Sequence, residues 1–170
     1  MYKDDEERKK NPILRSPEEG NSISVVGNTY RILAGGKDTN GAFATIDMLV
    51  PPGGGPGPHA HAGFEESFYV IDGAIEFKTE TGSYVAVKGA FVNIPKGGMV
   101  HSFKNKTEKP ARLLCTVVPA GLEQFFEEVG QPVEHGQLLP LPVMDKAYIQ
   151  HLQQVAERYG QQVFPPDFLD

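Results

Sequence analysis

From residue 22 onward the chain breaks into short apolar runs separated by glycine, proline and asparagine, a rhythm that predicts many short strands. Residues 23–26 and 29–33 flank Gly27-Asn28, a hairpin signal. Further strands are expected over 43–50, 66–71, 74–79, 83–87, 91–94, 101–104 and 111–118. Asp72-Gly73, Thr81-Gly82 and Lys88-Gly89 supply turn chemistry between them. Strands this short, this closely spaced, mean an antiparallel sandwich or barrel.

After Val118 the period lengthens to that of a helix. Leu122, Phe125, Phe126 and Val129 share one face, with Glu123, Gln124, Glu127 and Glu128 opposite, and Gly130 and Pro132 end the run. A proline-rich loop over 131–142 follows. Asp145 then serves as N-cap for a second helix with Tyr148, Leu152, Val155 and Tyr159 on one stripe, stopped by Gly160. The division expected is a charged N-terminal extension over 1–20, a barrel over 21–119 and a helical segment over 120–170, its helices packed outside the barrel. Without an internal repeat, one barrel is expected and not two.

Chemistry enters with the histidines. His59 and His61 alternate with alanine in an extended segment, so both point the same way and can pinch one ion. A histidine from a second strand plus a carboxylate would complete a shell suited to a divalent transition metal. Gly53, His59, His61, Glu66 and Gly73, followed by Gly89, Pro95, Gly97, His101 and Asn105, resemble the paired motifs of the cupin superfamily. One departure is visible: three residues instead of two separate Gly97 from His101, and the paired glycines can absorb the extra one as a bulge or widened turn. The resemblance spans residues 43–118. It implies an all-β jelly-roll barrel and a metal held by His59, His61, Glu66 and His101.

Within that superfamily the Phe64–Val70 run and the helix after Pro119-Ala120-Gly121 look most like quercetinase-type single-barrel proteins. On that resemblance Glu66 is both a ligand and the catalytic base, and the expected activity is a metal-dependent dioxygenase acting on a small hydroxylated or dicarbonyl compound. A non-enzymatic metal- or small-molecule-binding protein, or an isomerase or decarboxylase, is the alternative. Iron, manganese, nickel, cobalt, copper and zinc all suit the ligands. Alternation puts Glu66, Phe68 and Val70 on one face and Glu65, Ser67 and Tyr69 on the other, so Glu66 is the ligand. Phe68, Val70 and Phe103 are either an apolar wall for a substrate pocket or plain barrel filling.

The formal charge of -6 without a basic patch argues against a nucleic-acid partner. The first ten residues mix both charge signs with no apolar stretch behind them, and no membrane-length run follows, so the expectation is cytoplasmic with no membrane partner. Cys115, the one cysteine, reads as a buried strand residue. His135 and His151 read as surface histidines. A homodimer is expected, formed through the edges of the early strands around Ile23–Leu33 or through the Leu122/Phe125/Phe126/Val129 stripe.

Overall fold

The computed structural model describes residues 12–170; the charged head over 1–10 lies outside them. The strands are β1 (Ser22–Val25), β2 (Asn28–Ala34), β3 (Ala44–Val50), β4 (His59–His61), β5 (Glu65–Asp72), β6 (Ala74–Thr79), β7 (Gly82–Val87), β8 (Phe91–Ile94), β9 (His101–Lys104), β10 (Ala111–Val118), β11 (Gln131–Pro132) and β12 (Gln161–Val163). The helices are α1 (Gly36–Thr39), α2 (Leu122–Val129) and α3 (Lys146–Arg158).

The strands pair antiparallel into two sheets, a 7-stranded one in the order β11-β1-β2-β3-β10-β5-β8 and a 5-stranded one in the order β12-β4-β9-β6-β7. This is a two-sheet jelly roll. Its sheets meet through aromatic side chains: Phe68 of the larger sheet lies 5.2 Å from Phe77 and 5.4 Å from Phe103 of the smaller one, between ring centroids. Around those rings pack Ile46, Met48, Val70, Ile75, Leu113 and Val117, each essentially without solvent contact. Alternation along β5 and β10 puts these residues on one face and leaves Tyr69 half exposed on the other.

The first hairpin forms one residue earlier than the Gly27-Asn28 signal suggests. Val26 and Gly27, with φ of 48° and 79°, are its central pair, and Asn28 already pairs with Val25 in the ladder. Two positive φ values match the twist of the strands, and only the valine is an unfavourable choice there.

The Leu122/Phe125/Phe126/Val129 stripe packs on the barrel. Leu122 and Phe126 are buried in the core, and Phe126 stacks on Tyr30 at 4.1 Å. Nor is the edge of β1 free, because β11 of the same chain pairs with it. Each surface marked by the sequence for a second copy is thus covered in part from within the chain, β11 pairing with Ile23 and Ser24 and the stripe leaving Phe125 and Val129 partly exposed. Asp145 caps α3 as expected, its carboxylate accepting from the Tyr148 amide at 2.8 Å. Glu123 departs from its assignment to the polar face: it is buried and accepts from the amides of Gly36 and Gly121, both at 2.7 Å.

Among the described residues no helix is long and apolar enough to cross a membrane.

Candidate metal centre

Three strands deliver the site. β4 carries His59 and His61, and its antiparallel pairing with β9 sets His59 directly opposite His101. Glu66 projects from β5 of the other sheet, so the cluster spans the gap between the two sheets. One ligand atom from each of His59, His61, Glu66 and His101 lies within 4.8 Å of all the others. His61, Glu66 and His101 are buried, while His59 is the ligand nearest to solvent.

The imidazoles are oriented by the backbone. Nδ1 of His59 faces the Gly57 carbonyl at 2.9 Å, that of His61 faces Phe64 at 3.0 Å, and that of His101 faces Met99 at 3.0 Å. With the Nδ1 proton donated to a carbonyl, each ring leaves Nε2 as a lone-pair donor, the arrangement that fixes histidine for a metal. The Nε2 atoms of His61 and His101 stand 3.1 Å and 3.6 Å from Glu66 Oε2. Neighbouring ligands of one ion with bonds of about 2.1 Å sit about 3 Å apart. His101 Nε2 is buried without a hydrogen-bond partner, which a protein interior seldom tolerates unless something else occupies the lone pair. The donor set thus fits a divalent transition ion.

Electrostatics keep the ligands in the right protonation state. Burial pushes the Glu66 carboxyl upward, but the facing imidazoles of His101 and His61 outweigh it and hold it well below the usual carboxylate range. Loss of hydration, reinforced by neighbouring His101, lowers His59 to about 4, so its ring is neutral at physiological pH. A neutral imidazole and an ionised carboxylate are the forms that bind metal.

Glu65, by contrast, is exposed and accepts from Asn93 Nδ2 at 2.9 Å, outside the cluster. The extra residue before His101 is taken up where expected: Gly97 and Gly98 both have positive φ, 116° and 83°. Asn105 of the second motif ties β9 to the start of the ligand loop. It is fully buried, donating to the carbonyls of Val50 and Lys109 while its Oδ1 accepts from Thr107. His135 and His151 are exposed and are not members of the cluster.

The three residues read as pocket wall or filling all lie on the inner face. Phe68 and Phe103 join Phe77 in a three-ring cluster, and Val70 packs further along β5. A surface hollow of about 610 Å³ lies elsewhere, lined by residues that include Arg15, Lys37 and Glu123.

Two neighbours of the ligands were missed from sequence. Phe64 stacks on the His61 ring, 4.1 Å between centroids and 12° from parallel. Cys115 is more than a buried strand residue, because its thiol donates to Glu66 Oε1 at 3.3 Å and leaves Oε2 to the histidines. Burial and the adjacent Glu66 charge push that thiol well up, so it stays protonated and able to donate. Only the pairing of β10 with β5, which sets Cys115 opposite Phe68, could have revealed the contact.

Residues 46–117 match the family model described as a cupin domain, in keeping with the jelly-roll fold and the three-histidine, one-glutamate cluster. Among curated proteins the chain resembles quercetin 2,3-dioxygenase of Bacillus subtilis (strain 168), with 27% identity over 129 residues. That alignment covers 76% of this chain and 37% of the relative, so the chain spans little more than a third of that enzyme's length. Two solved structures share the fold. A predicted oxalate decarboxylase from Thermotoga maritima aligns with TM-score 0.57 and 21% identity, covering 64% of this chain and 99% of that one. A sugar phosphate isomerase from Silicibacter pomeroyi aligns with TM-score 0.53 and 23% identity, covering 62% and 73%.

Proposed function

We propose that the protein is a metal-dependent oxygenase acting on a small hydroxylated or dicarbonyl compound, with His59, His61, Glu66 and His101 as ligands of one divalent transition metal. The observation that carries this reading is the convergence of three backbone-oriented imidazoles and one ionised carboxylate, with His101 Nε2 buried and unpartnered. Likeness to the Bacillus subtilis quercetin 2,3-dioxygenase supports the choice of reaction class.

A bound ion would supply Lewis acidity and open positions for a substrate oxygen and dioxygen. The chain's own residues do the rest. Glu66 is the base that takes the proton of the substrate enol or phenol, with Oε2 turned toward His61 and His101 and Oε1 accepting from the Cys115 thiol. Phe64, Phe68 and Phe103 give the site apolar surroundings that favour a poorly hydrated, aromatic substrate. The Nδ1 bonds to Gly57, Phe64 and Met99 keep the three rings aimed as the proton moves.

A second reading, a cupin that binds metal and a small molecule without turnover, is favoured by the depth of the site: three of its four ligands are buried. Oxygen uptake separates the two. Protein purified without chelator or affinity nickel is analysed for metal, then assayed for oxygen consumption against a panel of flavonols and 1,3-diketones. Stoichiometric metal with uptake on one class is the expected result. Stoichiometric metal with no uptake on any of them selects the binding protein, and absence of metal rejects both.

A further inference from the structure

Beyond the cupin-matched residues 46–117, the chain returns to the site. After α3, β12 pairs antiparallel with β4, setting Gln161 opposite His61, Gln162 opposite Ala60 and Val163 opposite His59. The last segment thus adds a strand to the edge of the strand that bears two ligands. The Phe164 amide donates to the Pro58 carbonyl at 2.9 Å, continuing the attachment past the ladder. At the chain's end Asp170 pairs with Lys78 of β6 at 2.6 Å.

Directly opposed residues of an antiparallel pair project to the same face, with Cβ atoms roughly 5 Å apart. His61 faces inward, toward Glu66, so Gln161 projects on the ligand face beside it, and Gln162 projects away. Gln161 Nε2 is buried and has no hydrogen-bond partner. Four such side-chain atoms occur among the described residues, and two of them, His101 Nε2 and Gln161 Nε2, belong to the ligand-bearing face of the smaller sheet. An amide hidden from water without a partner is unfavourable, and a polar group brought in by a ligand would satisfy it.

We infer that Gln161 is a substrate-positioning residue, its carboxamide N–H donating to an anionic or carbonyl oxygen of the organic ligand bound next to His61. The inference rests on the metal-centre reading above. It assigns a role in ligand selection to a strand outside the barrel motifs: compounds carrying an oxygen adjacent to the one on the metal, as flavonols and 1,2-dioxygenated compounds do, satisfy both groups at once. An analogue lacking that second oxygen leaves the carboxamide unpaired, the situation that discriminates most strongly.

The test uses the full chain loaded with cobalt(II), with 3-hydroxyflavone as the probe, titrated anaerobically by absorbance. Gln161→Met keeps the length of the side chain and removes its donor; Gln162→Met is the control on the opposite face of the same strand. Expected are one cobalt per chain and an unchanged cobalt visible spectrum in all three proteins. The dissociation constant for 3-hydroxyflavone should rise about tenfold in Gln161→Met alone, the size expected for a hydrogen bond to a charged oxygen. Equal affinity in Gln161→Met and wild type overturns the inference, as does equal weakening in both variants, which would mark a strand effect. Loss of cobalt in Gln161→Met overturns it too, by making the residue a support for His61. Wild-type protein that takes up no cobalt rejects the metal centre itself, and cobalt protein that does not bind the probe rejects Gln161 as its recognition group while leaving the ligands in place.

Discussion

At the scale of single residues, the site depends on which side chains the strands turn inward. His61→Ala removes a buried ligand whose other nitrogen is tied to Phe64. The expected outcome is loss of stoichiometric metal by elemental analysis with an unchanged far-ultraviolet circular dichroism spectrum. Retention of metal by both His59→Ala and His61→Ala would refute the ligand set. Glu66→Gln should weaken metal binding and abolish any activity, whereas Glu65→Gln should keep both, because Glu65 lies on the outer face against Asn93. Acid sensitivity follows from the same groups. His59 has its pKa lowered to about 4 from an ordinary 6.5, so the unfolded chain binds more protons than the folded one between those values. Stability of the metal-free protein therefore falls as pH drops from about 6.5 to about 4. Glu66, held below the usual carboxylate range, acts in the same direction at lower pH: its contribution is present above the unfolded pKa of 4.5 and is lost as pH falls below that. Thermal unfolding of chelator-treated protein from pH 7 to pH 4 should show a falling midpoint, and His59→Gln should flatten the upper part of that slope.

Among the elements, the strands and the sheet face of each ligand were legible because period-two alternation is strong wherever one face is buried. β6, β8, β9 and β10 have the expected bounds. What escaped were features that depend on long-range pairing: β11 and β12 are two- and three-residue strands with no apolar alternation of their own, formed because an edge is there to accept them. Glu123 escaped for a related reason. On a helical wheel it is polar and opposite the apolar stripe, yet the backbone amides of Gly36, in α1, and of Gly121, at its own helix's N-cap, bring it inside. Glu123→Ala strands both donors and should destabilise the fold by about 3 kcal/mol, measured by urea denaturation. Nor did the outer face of the larger sheet announce its ion cluster. Asp47 accepts from Arg31 and Arg112 on neighbouring strands, and Arg31 is buried with it. Burial alone would raise the Asp47 carboxyl, but the two guanidiniums lower it. Asp47→Asn leaves Arg31 buried beside Arg112 without a counter-charge, and a loss of about 3 kcal/mol is expected by the same measurement.

Across the whole molecule, the C-terminal segment contributes to the barrel as well as packing on it. β4 is three residues long and meets β9 through the single pair His59–His101, while β12 covers all three of its residues. The ligand strand is thus held on its outer edge by a strand more than ninety residues later in the chain, positioned by α3. The α3 helix is anchored in turn: Val155 and Ala156 are buried, Tyr159 meets Phe125 of α2, and its hydroxyl donates to Glu128 at 2.7 Å. Removing residues 160–170 should therefore leave most of the jelly roll intact, since the core rings Phe68, Phe77 and Phe103 do not involve that segment. It should uncover the β4 edge, so amides in the 59–61 region are expected to exchange hydrogen much faster by mass spectrometry while those of β10 stay protected. Metal affinity should fall with them, because two of the four ligands then ride on a strand paired at one point. Full metal affinity and unchanged β4 exchange in the truncated protein would show that the ligand loop, fixed by Asn105 and by the Gly53 amide donating to the Asn105 carbonyl at 2.7 Å, is sufficient to hold the histidines in place.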